Sequence, residues 1–311
     1  MHCFSRWAVA IAASAVAIGL TLSGVAASAE AAPPPPTGGP VQPNIVGGHP
    51  PSLQYPAGAF AALIYDAPAH DIKDHFTCTT AQLNGRFFLI AAHCVTDPPA
   101  ALKAALMRFY GLDATSAAIP TADKKFRVRV GSPDRTAGGT VVGASVFYVH
   151  PGWNWGQGPE SDDIALLRAD EYVNGYALPI APRKPRSGET VFTLGFGGTE
   201  QVFNGELPTQ IHELNRKVVP AKKCVDAGIT SRDICLGNPA GDSGDCNGDS
   251  GGPNVVEQDG VLYNAGPTSR GGSAICGATP DVATSASEFR DELDDAMRGN
   301  APVLAHGTPI R

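Results

Sequence analysis

The feature that most constrains the fold is a succession of short apolar runs separated by turn residues, which begins at about Ala57. Such runs lie at residues 77–83, 86–91, 126–130, 140–149, 190–194, 217–219 and 261–265. Asn84-Gly85 joins the first two runs, and this dipeptide is the strongest sequence signal for a two-residue hairpin turn. Many short strands with glycine and proline between them predict an all-β sandwich or barrel.

Two segments depart from the strand pattern and predict helices. In residues 99–110, Leu102, Leu106 and Phe109 share one face of a helix. The second helix is expected at about residues 286–297, near the C-terminus, where Phe289, Leu293, Ala296 and Met297 form one apolar stripe. We expect both apolar stripes to make core contacts.

The first 29 residues have the pattern of a secretory signal peptide. Arg6 precedes an uncharged, Ala-rich run at residues 7–25, and Ala-Ser-Ala at 27–29 forms a small-x-small cleavage site. Apolar length alone also allows an uncleaved membrane anchor, which the cleavage site disfavours. Residues 30–44 contain four consecutive prolines, and we expect an extended pro-segment there. The chain is therefore expected to be secreted and extracellular.

Charge and cysteine content narrow the function classes. The formal net charge of −7 leaves no excess of positive charge to neutralise phosphates, so nucleic-acid binding is not expected. Of the seven cysteines only Cys3 lies in the signal peptide, and the remaining six can pair completely in an oxidising compartment. Spacing alone allows 15 such pairings. After removal of the signal, no membrane contact is expected.

Three short motifs carry side chains suited to acyl transfer. His93 stands in Ala-Ala-His-Cys, Asp163 opens an apolar run, and Ser250 lies in Gly-Asp-Ser-Gly-Gly-Pro at 248–253. A serine hydroxyl is a weak nucleophile until a base takes its proton, and an imidazole with a pKa near ~6.5 suits that task. Each motif alone has an ordinary structural explanation, but the three in this order indicate a catalytic set.

With these motifs the sequence resembles the trypsin/chymotrypsin-like secreted serine proteases. The resemblance extends over about residues 45–297 and includes Ile-Val-Gly-Gly at 45–48 and Gly-Phe-Gly at 195–197. It implies an all-β fold of two antiparallel six-stranded β-barrels with a C-terminal helix and a site between the barrels. The expected order is signal peptide 1–29, pro-segment 30–44, peptidase domain 45–298 with barrels at about 45–181 and 189–284 and a helix at about 286–297, and a loose tail 299–311.

The resemblance implies a role for each residue of the site. His93 would be the general base, Asp163 would orient and stabilise its imidazole, and Ser250 would be the nucleophile. The backbone N–H groups of Gly248 and Ser250 would form the oxyanion hole. Asp162 is the rival carboxylate, but the family pattern matches Asp163.

One competing fold shares the serine motif. Residues 248–252 also fit Gly-x-Ser-x-Gly, the nucleophile elbow of α/β-hydrolases. In that fold the acid and the histidine follow the serine, whereas here only His306, in the tail, follows Ser250. A second Gly-Asp-Ser-Gly at 241–244 lacks the following glycine and is interpreted as a loop.

The resemblance also implies three disulfides and an activation step. The implied disulfides are Cys78–Cys94, Cys224–Cys235 and Cys246–Cys276. Cleavage after Asn44 would free an α-amine at Ile45, which would pair with Asp249 and order the oxyanion turn. Well-known digestive members of the family are cut after Lys or Arg, so we expect a separate processing protease here.

The pocket expected beside Ser250 leaves several specificities open. Its expected lining residues are Gly244, Asp245, Ser269, Arg270, Gly271 and Asp281. Gly244 replaces the acidic floor of trypsin-like members, but Asp245 or Asp281 could attract Lys or Arg, which predicts a basic preference. Alternatively, Asp281 fills the pocket and limits it to small residues, or Arg270 pairs with Asp281 and cancels its charge.

No metal or cofactor is expected. His70, Asp71, Asp74 and His75 cluster in one segment, but their spacing matches no standard metal site, and a solvated loop is the better interpretation. Residues 97–125 are longer than in compact family members and would shape substrate access.

The sequence therefore predicts a serine endopeptidase that hydrolyses protein or peptide substrates through an acyl-enzyme. The alternative from another class is a protease-like binding protein without turnover. Besides substrates, the expected partners are the processing protease and a protein inhibitor.

Overall fold

The computed structural model describes residues 45–110, 114–157, 161–175, 177–238, 241–300 and 304–305. The predicted signal peptide and pro-segment, residues 1–44, lie outside this part of the chain. No helix in the described ranges is long and apolar enough to cross a membrane.

The described residues form thirteen strands, and successive runs of the sequence pair as antiparallel neighbours. The strands are β1 (Ala61–Ala67), β2 (Ile72–Gln82), β3 (Phe87–Ile90), β4 (Lys125–Val130), β5 (Thr140–Val149), β6 (Ala165–Ala169), β7 (Thr190–Gly195), β8 (His212–Lys217), β9 (Asp233–Leu236), β10 (Pro253–Gln258), β11 (Val261–Gly271), β12 (Asp281–Thr284) and β13 (Leu304–Ala305).

The first six strands close into a barrel. Their order is β5-β4-β1-β2-β3-β6, and a further antiparallel pairing between β5 and β6 joins the two ends. The predicted hairpin at Asn84-Gly85 connects β2 to β3, where the Asn84 side chain accepts hydrogen bonds from the backbone N–H groups of Arg86 and Phe87. Leu304–Ala305 add to β5, so this part of the predicted loose tail is a strand.

The second barrel contains the next six strands in the order β8-β7-β10-β11-β12-β9. An antiparallel bridge between Val218 and Leu236 links the chain just after β8 to β9 and completes the ring. The two sets of six antiparallel strands confirm the predicted fold class.

Helices are few in the described part of the chain. They are α1 (Lys103–Phe109), α2 (Ala114–Ala118) and α3 (Arg290–Met297), the last preceded by a 3-10 turn at Ala286–Phe289. The predicted helix at 99–110 is shorter than expected, because a turn in which Leu102 N–H donates to the Pro99 carbonyl precedes the helix that begins at Lys103. Leu102 is exposed there and does not face the core.

Apolar packing joins the C-terminal helix to the first barrel. Phe289 and Leu293 pack with Leu89, Ile164 and Leu166, which belong to the same buried cluster. Burying a side chain of this size contributes roughly 1.5–3 kcal/mol. The cluster therefore holds the ends of β3 and β6, from which the residues discussed next project.

Candidate active site

His93 and Asp163 meet because β3 and β6 are paired, with Ile90 opposite Ala165. His93 lies in the 3-10 turn that follows β3, and Asp163 lies two residues before β6. His93 Nδ1 and Asp163 Oδ2 are 2.7 Å apart, and the His93 backbone N–H donates to Asp163 Oδ1 at 3.0 Å. Asp163 thus holds both the ring and the backbone of His93.

The carboxylate of Asp163 is held in its ionised form although it is fully buried. Burial by itself pushes its pKa upward, but the charge of His93 and hydrogen bonds from His93 and Ser269 together keep the pKa below its ordinary value. Ser269 Oγ donates to Asp163 Oδ2 at 2.6 Å. A permanent negative charge beside Nδ1 favours the tautomer in which Nε2 can accept a proton.

Ser250 lies in a glycine turn between the barrels. Thr79 of the first barrel donates its N–H to the Ser250 carbonyl at 3.0 Å, and Gly251 N–H donates to Thr268 of the second barrel at 2.8 Å. Gly248 has φ +97°, and a Cβ there would lie 3.0 Å from the Phe76 ring. Only glycine fits this conformation and space.

Two backbone donors of this turn are available to a ligand. Within the described residues, neither Gly248 N–H nor Ser250 N–H donates a hydrogen bond. Paired N–H groups of this kind suit a developing oxyanion.

Tyr110, in the long segment between β3 and β4, covers the site. Ser250 Oγ donates to the Tyr110 carbonyl at 3.3 Å, and the Tyr110 ring lies 5.0 Å from the His93 imidazole, centroid to centroid. Trp153 and Trp155 hold that ring through edge contacts at 5.4 and 5.5 Å. His93 is consequently 1 % exposed, and its Nε2 has no hydrogen-bond partner in the described part of the chain.

Asp249 is buried next to the glycine turn. Its two carboxylate oxygens accept from the backbone N–H groups of Gly197 at 2.8 Å and Cys246 at 2.9 Å. A Cβ on Gly195 would lie 1.9 Å from Asp249 Oδ1, so the Gly-Phe-Gly motif makes room for this carboxylate. Burial, and then the charge of Asp245, raise the pKa of Asp249 well above its ordinary value.

The segment that begins at Ile45 lies beside this region. Ile45 is 0 % exposed, and Gly244 N–H donates to the Val46 carbonyl at 3.1 Å in an antiparallel bridge. Asp249 has no ion pair within the described ranges, which begin at Ile45.

A cavity of about 50 Å³ opens next to Ser250. Its wall contains five of the residues predicted to line a specificity pocket, namely Asp245, Ser269, Arg270, Gly271 and Asp281. The sixth, Gly244, packs against it, since a Cβ on Gly244 would lie 2.6 Å from Asp281 Oδ2.

A family model for trypsin matches residues 46–293 of the chain. The chain belongs to the trypsin family. Serine proteases of this family are hydrolases, and the chain is one of these enzymes.

Similar proteins support membership of this family. The chain is 28 % identical over 271 residues to the CLIP domain-containing serine protease B4 of Anopheles gambiae, covering 81 % of this chain and 70 % of that protein. It is 29 % identical over 241 residues to phenoloxidase-activating factor 1 of Holotrichia diomphalia, covering 72 % and 63 % of the two chains. Neuropsin, a serine protease of mouse brain, shares the fold, with a TM-score of 0.59, 23 % identity, and coverage of 78 % and 95 %.

In this trypsin-family protein the pocket carboxylates pair with a residue that the sequence interpretation missed. Arg216 Nη1 donates to Asp281 Oδ2 at 2.5 Å, and Arg216 Nη2 donates to both oxygens of Asp245 at 2.7 Å. Arg216 was missed because β8 has few apolar residues. The signal that could have identified it is its position in the strand: Arg216 lies on the inward side, between the outward residues Asn215 and Lys217.

The alternative in which Arg270 pairs with Asp281 is wrong. Arg270 Nη2 donates to Asp233 at 2.8 Å, and its other N–H groups donate to Ser269 Oγ and to the carbonyls of Ala227 and Gly228. The position of Arg270 on β11 directs its guanidinium toward β9 and away from Asp281.

The rival carboxylate and the histidine-rich segment make other contacts. Asp162 Oδ2 accepts from Arg232 at 2.6 Å, whereas Asp163 faces His93. His70 contacts Asp123 at 3.1 Å, and Asp74 accepts from Arg127 at 2.7 Å.

The structure contains the three disulfides implied by the resemblance, Cys78–Cys94, Cys224–Cys235 and Cys246–Cys276. The first fixes the turn that carries His93, and the third spans the wall of the cavity.

Proposed function

We propose that the protein is a secreted serine endopeptidase that uses His93, Asp163 and Ser250 as its catalytic triad. The hydrogen-bonded series from Ser269 through Asp163 to His93 carries this proposal, because it fixes an ionised carboxylate on Nδ1 of a buried imidazole. Ser250 Oγ and the His93 ring both contact Tyr110, which supports a position of the serine hydroxyl near the imidazole.

The reaction then follows from these positions. His93 Nε2 takes the proton of Ser250 Oγ as that oxygen attacks the carbonyl carbon of the substrate. Gly248 N–H and Ser250 N–H donate to the oxyanion, and Asp163 stabilises the imidazolium. The imidazolium gives its proton to the leaving amine, and water then hydrolyses the acyl-enzyme with His93 again acting as base.

Substrate entry requires Tyr110 to leave the site, because its carbonyl accepts the hydrogen bond of Ser250 Oγ and its ring covers His93. We expect Tyr110→Ala to speed labelling of Ser250 by a fluorophosphonate on the order of tenfold. The two edge contacts with Trp153 and Trp155 are each worth about 1 kcal/mol, and their loss loosens the covering segment.

The matched control is Tyr172→Ala, since Tyr172 is 68 % exposed and is not one of the residues that line the cavity. Its labelling rate should equal that of the wild type. An unchanged or slower rate for Tyr110→Ala would contradict the covering role of Tyr110.

Fluorophosphonate labelling of the chain that begins at Ile45 tests the proposed function. We expect one label per molecule, located on Ser250, together with cleavage at internal bonds of an unfolded protein substrate. A chain that neither reacts nor cleaves would support the alternative of a protease-like binding protein.

Secretion, activation and partners are part of the proposal. The predicted signal peptide supports export, and the disulfides suit an oxidising compartment. The amine freed at Ile45 supplies the cation that the buried carboxylate of Asp249 needs. The proposed partners are protein substrates, a processing protease that cuts after Asn44, and a protein inhibitor.

The predicted preference for basic side chains stays a prediction. It requires Asp245 or Asp281 to be free for a substrate cation. Both carboxylates already accept from Arg216, which favours the alternative of small side chains.

A further inference from the structure

Arg216 approaches the cavity beside Ser250 from the interior of the second barrel. It lies on β8, its side chain is 1 % exposed, and Arg216 Nη2 also donates to Thr193 Oγ1 at 2.9 Å. Its guanidinium reaches both carboxylates of the cavity wall, Asp245 and Asp281, at 2.7 and 2.5 Å. The chain thereby supplies these carboxylates with an internal cation.

Both carboxylates already accept hydrogen bonds from within the protein. Both oxygens of Asp245 accept from Arg216, and Asp281 Oδ2 accepts from Arg216 and from the Asp245 backbone N–H at 2.9 Å. A lysine or arginine side chain entering the cavity would share these two carboxylates with the fixed positive charge of Arg216. Like charges at short range disfavour each other, and the entering cation would also lose its hydration.

The negative charge of Asp281 is weakened further by partial protonation. Burial, and then the charge of Asp245, raise the pKa of Asp281 to about 7, so part of the population carries a proton at neutral pH. The cavity that these carboxylates line has a volume of about 50 Å³. The charge of the cavity wall therefore gives little attraction to an entering lysine or arginine side chain.

Building on the proposed peptidase function, we infer that Arg216 is a specificity-determining residue: by holding Asp245 and Asp281 from the inner side, it makes the pocket select small uncharged side chains over Lys and Arg. The selected side chain is that of the substrate residue whose carbonyl Ser250 attacks, because Ser250 lies in the wall of the same cavity.

The first measurement is the specificity of the wild type, with active sites counted by fluorophosphonate titration. We expect kcat/KM for peptide substrates with Ala or Ser at the cleaved bond to exceed that for matched Lys and Arg substrates. A preference for Lys or Arg greater than about tenfold would overturn the inference.

The second measurement uses a variant with the same formal pocket charge as the wild type. Arg216→Met/Asp245→Asn leaves Asp281 as the one carboxylate of the pocket and removes the internal cation. The formal pocket charge of this variant is −1, the same as that of Arg216, Asp245 and Asp281 together in the wild type. We expect the Lys-to-Ala ratio of kcat/KM to rise on the order of tenfold to a hundredfold, as a charge-assisted hydrogen bond to Asp281 becomes available. A ratio within about twofold of the wild type would overturn the role of Arg216.

Controls separate this inference from the proposed function. Arg183→Met removes a partly exposed arginine that pairs with Glu189, and its Lys-to-Ala ratio should equal that of the wild type. Arg216→Met alone should change the ratio in the same direction as the double variant. Absence of titratable active sites in the wild type would contradict the peptidase proposal itself, whereas titrated enzyme with an unaltered ratio contradicts only the inference about Arg216.

Discussion

Ser250→Ala is expected to lower kcat by about 10⁵- to 10⁶-fold, because removing the nucleophile leaves only substrate binding and the oxyanion donors. Asp163→Asn should lower kcat by about 10⁴-fold, since the amide no longer holds the imidazole in the tautomer that accepts a proton. Hydrolysis of a peptide substrate, with fluorophosphonate labelling in parallel, measures both effects. Ser250→Ala should lose the label completely.

The chain offers a matched control in its second Gly-Asp-Ser-Gly sequence. Ser243→Ala changes the serine of that sequence, which we interpret as a loop, and should keep wild-type kcat. Substantial activity in Ser250→Ala, or its loss in Ser243→Ala, would show that the wrong serine had been identified.

A chain that begins at Ile45 is expected to be about 10²- to 10³-fold more active than one that begins at Glu30, the size of effect that follows loss of an oxyanion donor. Only the shorter chain has a free α-amine to pair with the buried carboxylate of Asp249 and order the turn at Gly248. N-terminal sequencing of active secreted protein should therefore begin at Ile45.

Asp249→Asn tests the same step through the ratio between the activities of the two chains, each carrying the substitution. In this variant the two chains should have similar activity, since the amine no longer meets a carboxylate; a general loss of stability would lower both equally. Asp242→Asn, in an exposed turn, should keep the full difference between the two chains. Equal activity of the two wild-type chains would contradict the activation step.

Strands were predictable where one face is buried and the other is not. Residues 126–130 alternate apolar and basic side chains, and β4 has the corresponding pattern of buried and partly exposed residues. β8 was predicted poorly, because its inward positions carry His212, Leu214 and Arg216 and only one of these is apolar. A buried charge is stable only through partners on other strands, and hydropathy does not report those partners.

The covering position of Tyr110 was also beyond sequence reasoning. Segment length indicated that residues 97–125 would shape access to the site. The contact between Ser250 and the Tyr110 carbonyl depends on two tryptophans of another loop, Trp153 and Trp155, whose spacing along the chain carries no such information.

The sequence by itself determined the family, the six paired cysteines and the three residues proposed as the triad, because short motifs in a fixed order record local chemistry. Only the tertiary structure decided which cation holds Asp245 and Asp281, and that Arg270 faces Asp233. The reason is physical: a buried ion pair depends on distances of a few ångströms between strands far apart in the chain, and these distances exist only after the barrels have closed.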